Sequence, residues 1–140
     1  MVRRVPPVAL TVAHLQQLAA ARLDDAEALY TMGRYDAAAY LAGYAVEVAL
    51  KARLCLTLGW TGFPETAREF EGLKSLKTHN LRILLRLSGR LGGIMATHPL
   101  EWTDLERDWS PEMRYRSVGT VSQAQVRRLI DAVRTIVGAL

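Results

Sequence analysis

Two apolar stripes of helical period, joined by a tight turn at Gly33-Arg34, constrain this chain more than any other feature in it. The first stripe is Leu15, Leu18, Ala19, Leu23, Ala26 and Leu29 or Tyr30. It predicts a helix capped by Thr11 and running to about Met32, with Gly33 as a left-handed stop. The second stripe is Ala38, Leu41, Ala42, Ala45, Val48, Ala49, Ala52 and Leu56, and it predicts a helix from about Tyr35 to Leu58, ending at Gly59. So short a connection between two long helices folds them back as an antiparallel hairpin. The many alanines of the second helix let a neighbour approach closely.

The rest of the chain continues in helical periods, and strict alternation never lasts long enough to argue for a sheet. Pro64 suits the first turn of a short helix over Glu65 to Leu76. Thr78 reads as the cap of a helix from His79 to about Leu91, closed by Gly92-Gly93. Leu100 to Trp109 carries Trp102, Leu105 and Trp109 on one face, and Ser110 to Val121 is a connection. Ser122 caps a last helix lined by Val126, Leu129, Ile130, Val133, Ile136 and Val137. The expectation is an all-α, antiparallel four- to five-helix bundle, a single domain over 1–140 with 1–10 as a flexible arm.

Composition narrows the class further. Half of the 140 residues are hydrophobic and the net charge is 18 − 14 = +4, which excludes global disorder. Cys55 stands alone, which excludes a disulfide scaffold and fits a reducing, cytoplasmic setting. The most apolar run, Ala37 to Val46, ends at Glu47, far short of the ~20 residues a membrane span needs. A soluble protein without membrane attachment is expected.

Familiar catalytic sites are missing from the pattern. Gly89, Gly92 and Gly93 form no dinucleotide fingerprint, and there is no phosphate-loop lysine. His14, His79 and His98 lie far apart, without zinc-ligand spacing, so neither metal nor cofactor is expected. Three other patterns bear chemistry. Tyr40, Tyr44, Glu47 and Lys51 share one face of the second helix, with Glu47 four residues before Lys51, the favoured order for an ion pair. That stripe reads as a surface pair, as a polar network within the fold, hydrogen-bonded by the phenols if buried, or as the wall of an inner pocket. Arg82, Arg86 and Arg90 recur every four residues as one guanidinium row, suited to phosphates or merely solvated. Arg114 and Arg116 flank Tyr115, an arrangement fit to clamp a phosphate, stack on a base or anchor a loop. His79, placed in the first turn of its helix, would be held neutral by the helix dipole and reads as a capping or packing residue rather than a catalytic one.

These residues resemble a known family. Gly33-Arg34-Tyr35-Asp36-Ala37-Ala38, followed by Ala45-Val46-Glu47-Val48-Ala49-Leu50-Lys51, is similar to the first helical hairpin of HEPN (higher eukaryotes and prokaryotes nucleotide-binding) domains. Thr78-His79-Asn80-Leu81 resembles the start of a later helix in that family, and Arg114-Tyr115 a pair before its last helix. The resemblance implies a bundle that is commonly dimeric and often encoded beside a minimal nucleotidyltransferase, in toxin–antitoxin or defence-type systems. Many members are ribonucleases whose motif is an arginine, four to six residues, then a histidine. The windows before the histidines here hold Pro7, Val8 and Ala9, then Gly72, Leu73 and Lys74, then Leu91, Gly92 and Gly93. No arginine occurs in any of them, and Lys74 lacks the planar fork that clamps a phosphate.

The expectation is a non-catalytic module that binds a nucleotide or RNA through Tyr44, Glu47, Lys51, Arg82, Arg86, Arg90, Arg114, Tyr115 and Arg116. It would be an accessory subunit to a nucleotidyltransferase. Two alternatives stand beside it: a metal-independent ribonuclease with His79 as general base and Arg114 folded against it, and a pure protein-interaction subunit. A homodimer is expected, because a small bundle with long apolar stripes gains burial from a second copy. The basic stretch 74–90 could then pair with the acidic stretch 101–112 of the mate, or the same charges could be satisfied within one chain.

Overall fold

The computed structural model describes residues 10–65, 71–73 and 76–140. Its order is α1 (Val12–Thr31), α2 (Tyr35–Leu58), α3 (Leu81–Leu87), α4 (Leu91–Thr97), α5 (Pro99–Asp108), a 3-10 turn (Pro111–Tyr115) and α6 (Gln123–Ala139). Among the described residues the only extended pairing is an isolated bridge between Thr11 and Gly62. The expected all-α bundle is what forms. No helix among these residues is long and apolar enough to cross a membrane.

The hairpin follows from its caps. Thr11 accepts a hydrogen bond from the His14 amide, satisfying a free donor of the first turn. At the other end Arg34 N–H reaches Leu29 O at 2.8 Å and Gly33 N–H reaches Tyr30 O at 3.0 Å, a paired closure that turns the chain straight into α2. α2 is the central element, packed against α1, α6, α3 and the 3-10 turn. Buried alanines (Ala38, Ala39, Ala42, Ala45, Ala49, Ala52) mix with Val46, Leu50 and Leu54, so α2 is buried on most of its circumference. α6 lies across α2 and α5, its Ser122 forming a reciprocal capping box with Gln125.

Three expectations change here. The helix expected over His79 to Leu91 is shorter, capped by Asn80 rather than Thr78, and it stops at Ser88. Gly89, at φ 76°, turns the chain, and Gly92-Gly93 sit inside α4 instead of ending a helix. A glycine stops a helix only where the backbone takes the left-handed conformation, and that happens at Gly89 alone of the three. Of the short helix expected over Glu65 to Leu76, residues 66–70 and 74–75 lie outside the described residues, as do residues 1–9 of the arm expected over 1–10. Glu71 and Gly72 form a turn, with Gly72 at φ 77°, so that helix does not run unbroken to Leu76.

One ionic clasp ties the two ends of the chain. Arg127 donates to both oxygens of Glu27, at 3.0 and 2.8 Å, and Arg134 adds a third bond at 2.9 Å. The Arg127 hydrogen bond is the main cause that lowers the Glu27 pKa from 4.5 to about 2. Folding therefore gains from the ionised carboxylate above pH 4.5, and the gain fades as pH falls from 4.5 through 2. The pair is solvent-screened, so the contribution is on the order of 1 kcal/mol. Glu27→Gln is expected to flatten the fall in stability across that pH window, as read by urea unfolding. An unchanged slope would show the clasp to be energetically silent.

A candidate nucleotide-binding cleft

The Glu47 carboxylate organises the polar interior. It is 3 % exposed, on the α2 face turned toward the segment that leads into α3. Its Oε2 accepts from Lys51 Nζ at 2.9 Å and is 2.9 Å from Nδ1 of His79. A carboxylate can only accept, so the bond places a ring proton on Nδ1 and leaves Nε2 as the other polar atom of the ring. Thr78 and Asn80 fix the backbone on either side. Thr78 Oγ1 accepts from the Asn80 amide at 3.0 Å, and Asn80 Oδ1 caps α3 through the Ile83 amide at 3.1 Å. His79 thus lies before the cap rather than in the first helical turn. The dipole argument for a neutral ring does not apply to it.

The tyrosines behave differently from the expectation. Tyr40 and Tyr44 stack on each other at 6.4 Å and 12°, and among the described residues neither phenol hydrogen-bonds Glu47. Burial raises the Tyr44 pKa, with the charge of Glu47 adding to the effect. Tyr44, Glu47 and Lys51 line no part of the cleft described next. Glu47 and Lys51 sit behind it and hold His79 at its wall.

That cleft, about 520 Å³, lies between the segment 77–82, the end of α5 and the 3-10 turn. Lys77, His79, Arg82, Glu106, Glu112 and Arg114 supply its charged and titratable lining. The volume falls within the ~300–1,000 Å³ usual for small-ligand sites. Arg82 is committed: it donates through Nε and Nη2 to both oxygens of Glu106, at 2.9 and 2.6 Å. The pair lowers the Glu106 pKa and raises that of Arg82, in each case chiefly through that hydrogen bond. Arg114 lies over the Tyr115 ring at 5.0 Å, and the neighbouring Tyr40 and Tyr115 phenols raise its pKa. Among the described residues no carboxylate pairs with Arg114 or Lys77.

The expected guanidinium row does not survive folding. Arg82 faces Glu106, Arg86 is exposed, and Arg90 falls beyond the Gly89 turn, where its Nη2 donates to Ala139 O at 2.8 Å. Four-residue spacing makes one face only while the helix continues, and here it breaks between Arg86 and Arg90. Tyr115 and Arg116 lie outside the cleft, Arg116 reaching Ser110 Oγ at 3.4 Å. The basic and acidic stretches meet within one chain through Arg82 and Glu106. Sequence reasoning brought His79 and Arg114 together and passed over Lys77, Glu106 and Glu112 as site residues. The signal for Lys77 was its place two residues before His79. Nothing local marked the two glutamates. Among the described residues no three of His, Cys, Asp and Glu stand close enough to hold a metal ion.

Fold and cleft together define an all-α bundle with a mixed-charge cleft beside a central, alanine-rich helix. Residues 12–68, which cover α1, α2 and the segment beyond them, match the model of the HEPN domain family. That match covers less than half of the chain and takes in its first helical hairpin. No curated protein and no solved structure matches it.

Proposed function

We propose that the protein binds a nucleotide, or one nucleotide of a single-stranded RNA, with its phosphate in the cleft between α3, α5 and the 3-10 turn. The observation that carries this reading is Arg114, a guanidinium over the Tyr115 ring with no carboxylate partner among the described residues, in the same cleft as Lys77 and His79. An arginine without a carboxylate partner offers its planar fork to a phosphate without first giving up an ion pair. With Arg82 neutralised by Glu106, the cleft suits one phosphate rather than a tract. The likeness of residues 12–68 to the HEPN domain model supports the nucleotide or RNA character of the ligand. It also suggests work as an accessory subunit, in a homodimer or beside a minimal nucleotidyltransferase of a toxin–antitoxin or defence-type system.

Arg114→Ala is expected to weaken binding of a short single-stranded RNA at least tenfold and to lower the salt dependence by about one counterion. Fluorescence anisotropy against salt measures both. Unaltered affinity and slope would remove the cleft from the interface. A second reading is favoured by one observation: a buried carboxylate fixes the Nδ1 side of His79 in the cleft that Arg114 lines, which is how a general base is oriented. RNA cleavage by the purified protein, lost in His79→Ala, would establish a metal-independent ribonuclease in place of a binding module.

A further inference from the structure

The cleft carries two carboxylates of unlike standing. Both oxygens of Glu106 are occupied by Arg82. Glu112, on the same 3-10 turn as Arg114, is exposed, lines the cleft and has no ion pair among the described residues. A ligand with its phosphate against Arg114 and Lys77 lies in a cleft that Glu112 also lines, where a carboxylate favours hydrogen-bond donors and repels acceptors. An ionised carboxylate accepts through two parallel oxygens and donates nothing.

The bases differ at this point. Guanine presents N1–H and the N2 amino group side by side, two donors at the spacing of two carboxylate oxygens. Adenine and cytosine each place an acceptor beside their amino group, and uracil flanks its single N–H with two carbonyls. A base freed from stacking is read on that edge. We infer that Glu112 makes the cleft selective for guanine nucleotides, its carboxylate taking N1–H and N2–H while Arg114 and Lys77 take the phosphate. This inference rests on the phosphate-binding reading above and adds to it which base is bound.

The test is titration of the intact protein with GMP and with AMP at one salt concentration, by calorimetry, for the wild type, Glu112→Gln and Arg114→Ala. The wild type is expected to prefer GMP about tenfold, the scale of one good bidentate base contact. Glu112→Gln should lose that preference by weakening GMP alone, because its amide donates where guanine also donates. Arg114→Ala should weaken both nucleotides together. Equal wild-type affinities, with both lost in Arg114→Ala, would overturn the guanine selectivity and leave the phosphate site standing. A preference that survives in Glu112→Gln would also overturn it, by placing base reading elsewhere. Failure of GMP, AMP and RNA alike to bind would sink both the cleft reading and the selectivity. A circular dichroism melt like that of the wild type shows that the variants remain folded.

Discussion

Gly43→Ala is expected to lower folding stability by about 2–3 kcal/mol, although alanine is the better helix former. Propensity alone would favour the substitution by about 1 kcal/mol. The opposing effect is steric. Gly43 is buried in α2, and a Cβ built on it would overlap the indole of Trp109. That ring has nowhere convenient to go: Trp109 is 5 % exposed and its Nε1 donates to Tyr40 O at 3.1 Å. Overlap with a rigid, hydrogen-bonded ring places the cost at or above the ~1–3 kcal/mol usual for overpacking, so the clash outweighs the propensity gain. For a chain of this length the net loss corresponds to a fall in Tm of about 7–10 °C. Trp109 and Ser110 also line the cleft, so RNA affinity should drop with stability. Gly138→Ala is the control, since a Cβ there meets nothing within 4 Å, and it should be neutral or slightly stabilising. Thermal unfolding that ranks Gly43→Ala level with Gly138→Ala would contradict the close approach of α2 to Trp109.

Gly43 also shows where sequence reading stops. The ends of α1 and α2 and the start of α6 were legible because they are marked locally, by Thr11, Gly33, Gly59 and Ser122, and the stripes beside those marks are long. In the middle of the chain the marks compete. Gly89, Gly92 and Gly93 are chemically identical, and only tertiary packing decides which one takes positive φ. The Arg82, Arg86 and Arg90 spacing then misleads, because it presumes a helix that Gly89 has ended. A glycine such as Gly43, needed for its missing side chain rather than its φ, carries no local signature; its reason lies on Trp109, in another element. The cleft is illegible for the same cause. His79, Glu106, Glu112 and Arg114 come from three separate segments, and which arginine is neutralised depends on Glu106 reaching Arg82. The Glu47–Lys51 pair could be read from its four-residue spacing, but its burial and its hold on His79 could not.

Glu47→Ala is expected to cost about 3 kcal/mol, most of it through Lys51 rather than through lost contacts of the glutamate itself. The Lys51 side chain is only 18 % exposed, its Nζ sits 2.9 Å from the carboxylate, and it lies 5.2 Å from the centre of the Phe63 ring. Removing the carboxylate strands that ammonium in a poorly solvated place. Charge burial without a partner is far more costly than the intact pair is favourable. Replacing both residues by apolar ones of similar size, Glu47→Leu with Lys51→Met, should therefore recover most of the loss, since His79, whose side chain is 56 % exposed, can turn to water. The two outcomes separate stability from function. The double variant should fold nearly as well as the wild type yet bind RNA more weakly, because His79 is no longer held at the cleft wall. Chemical denaturation of both variants gives the first quantity and anisotropy the second. A Glu47→Ala protein within 0.5 kcal/mol of wild type, roughly the scatter of neutral surface changes, would mean that water reaches the pair after all. A double variant with full RNA affinity would instead show that the carboxylate serves the fold alone, and that the cleft holds its ligand without help from an oriented histidine.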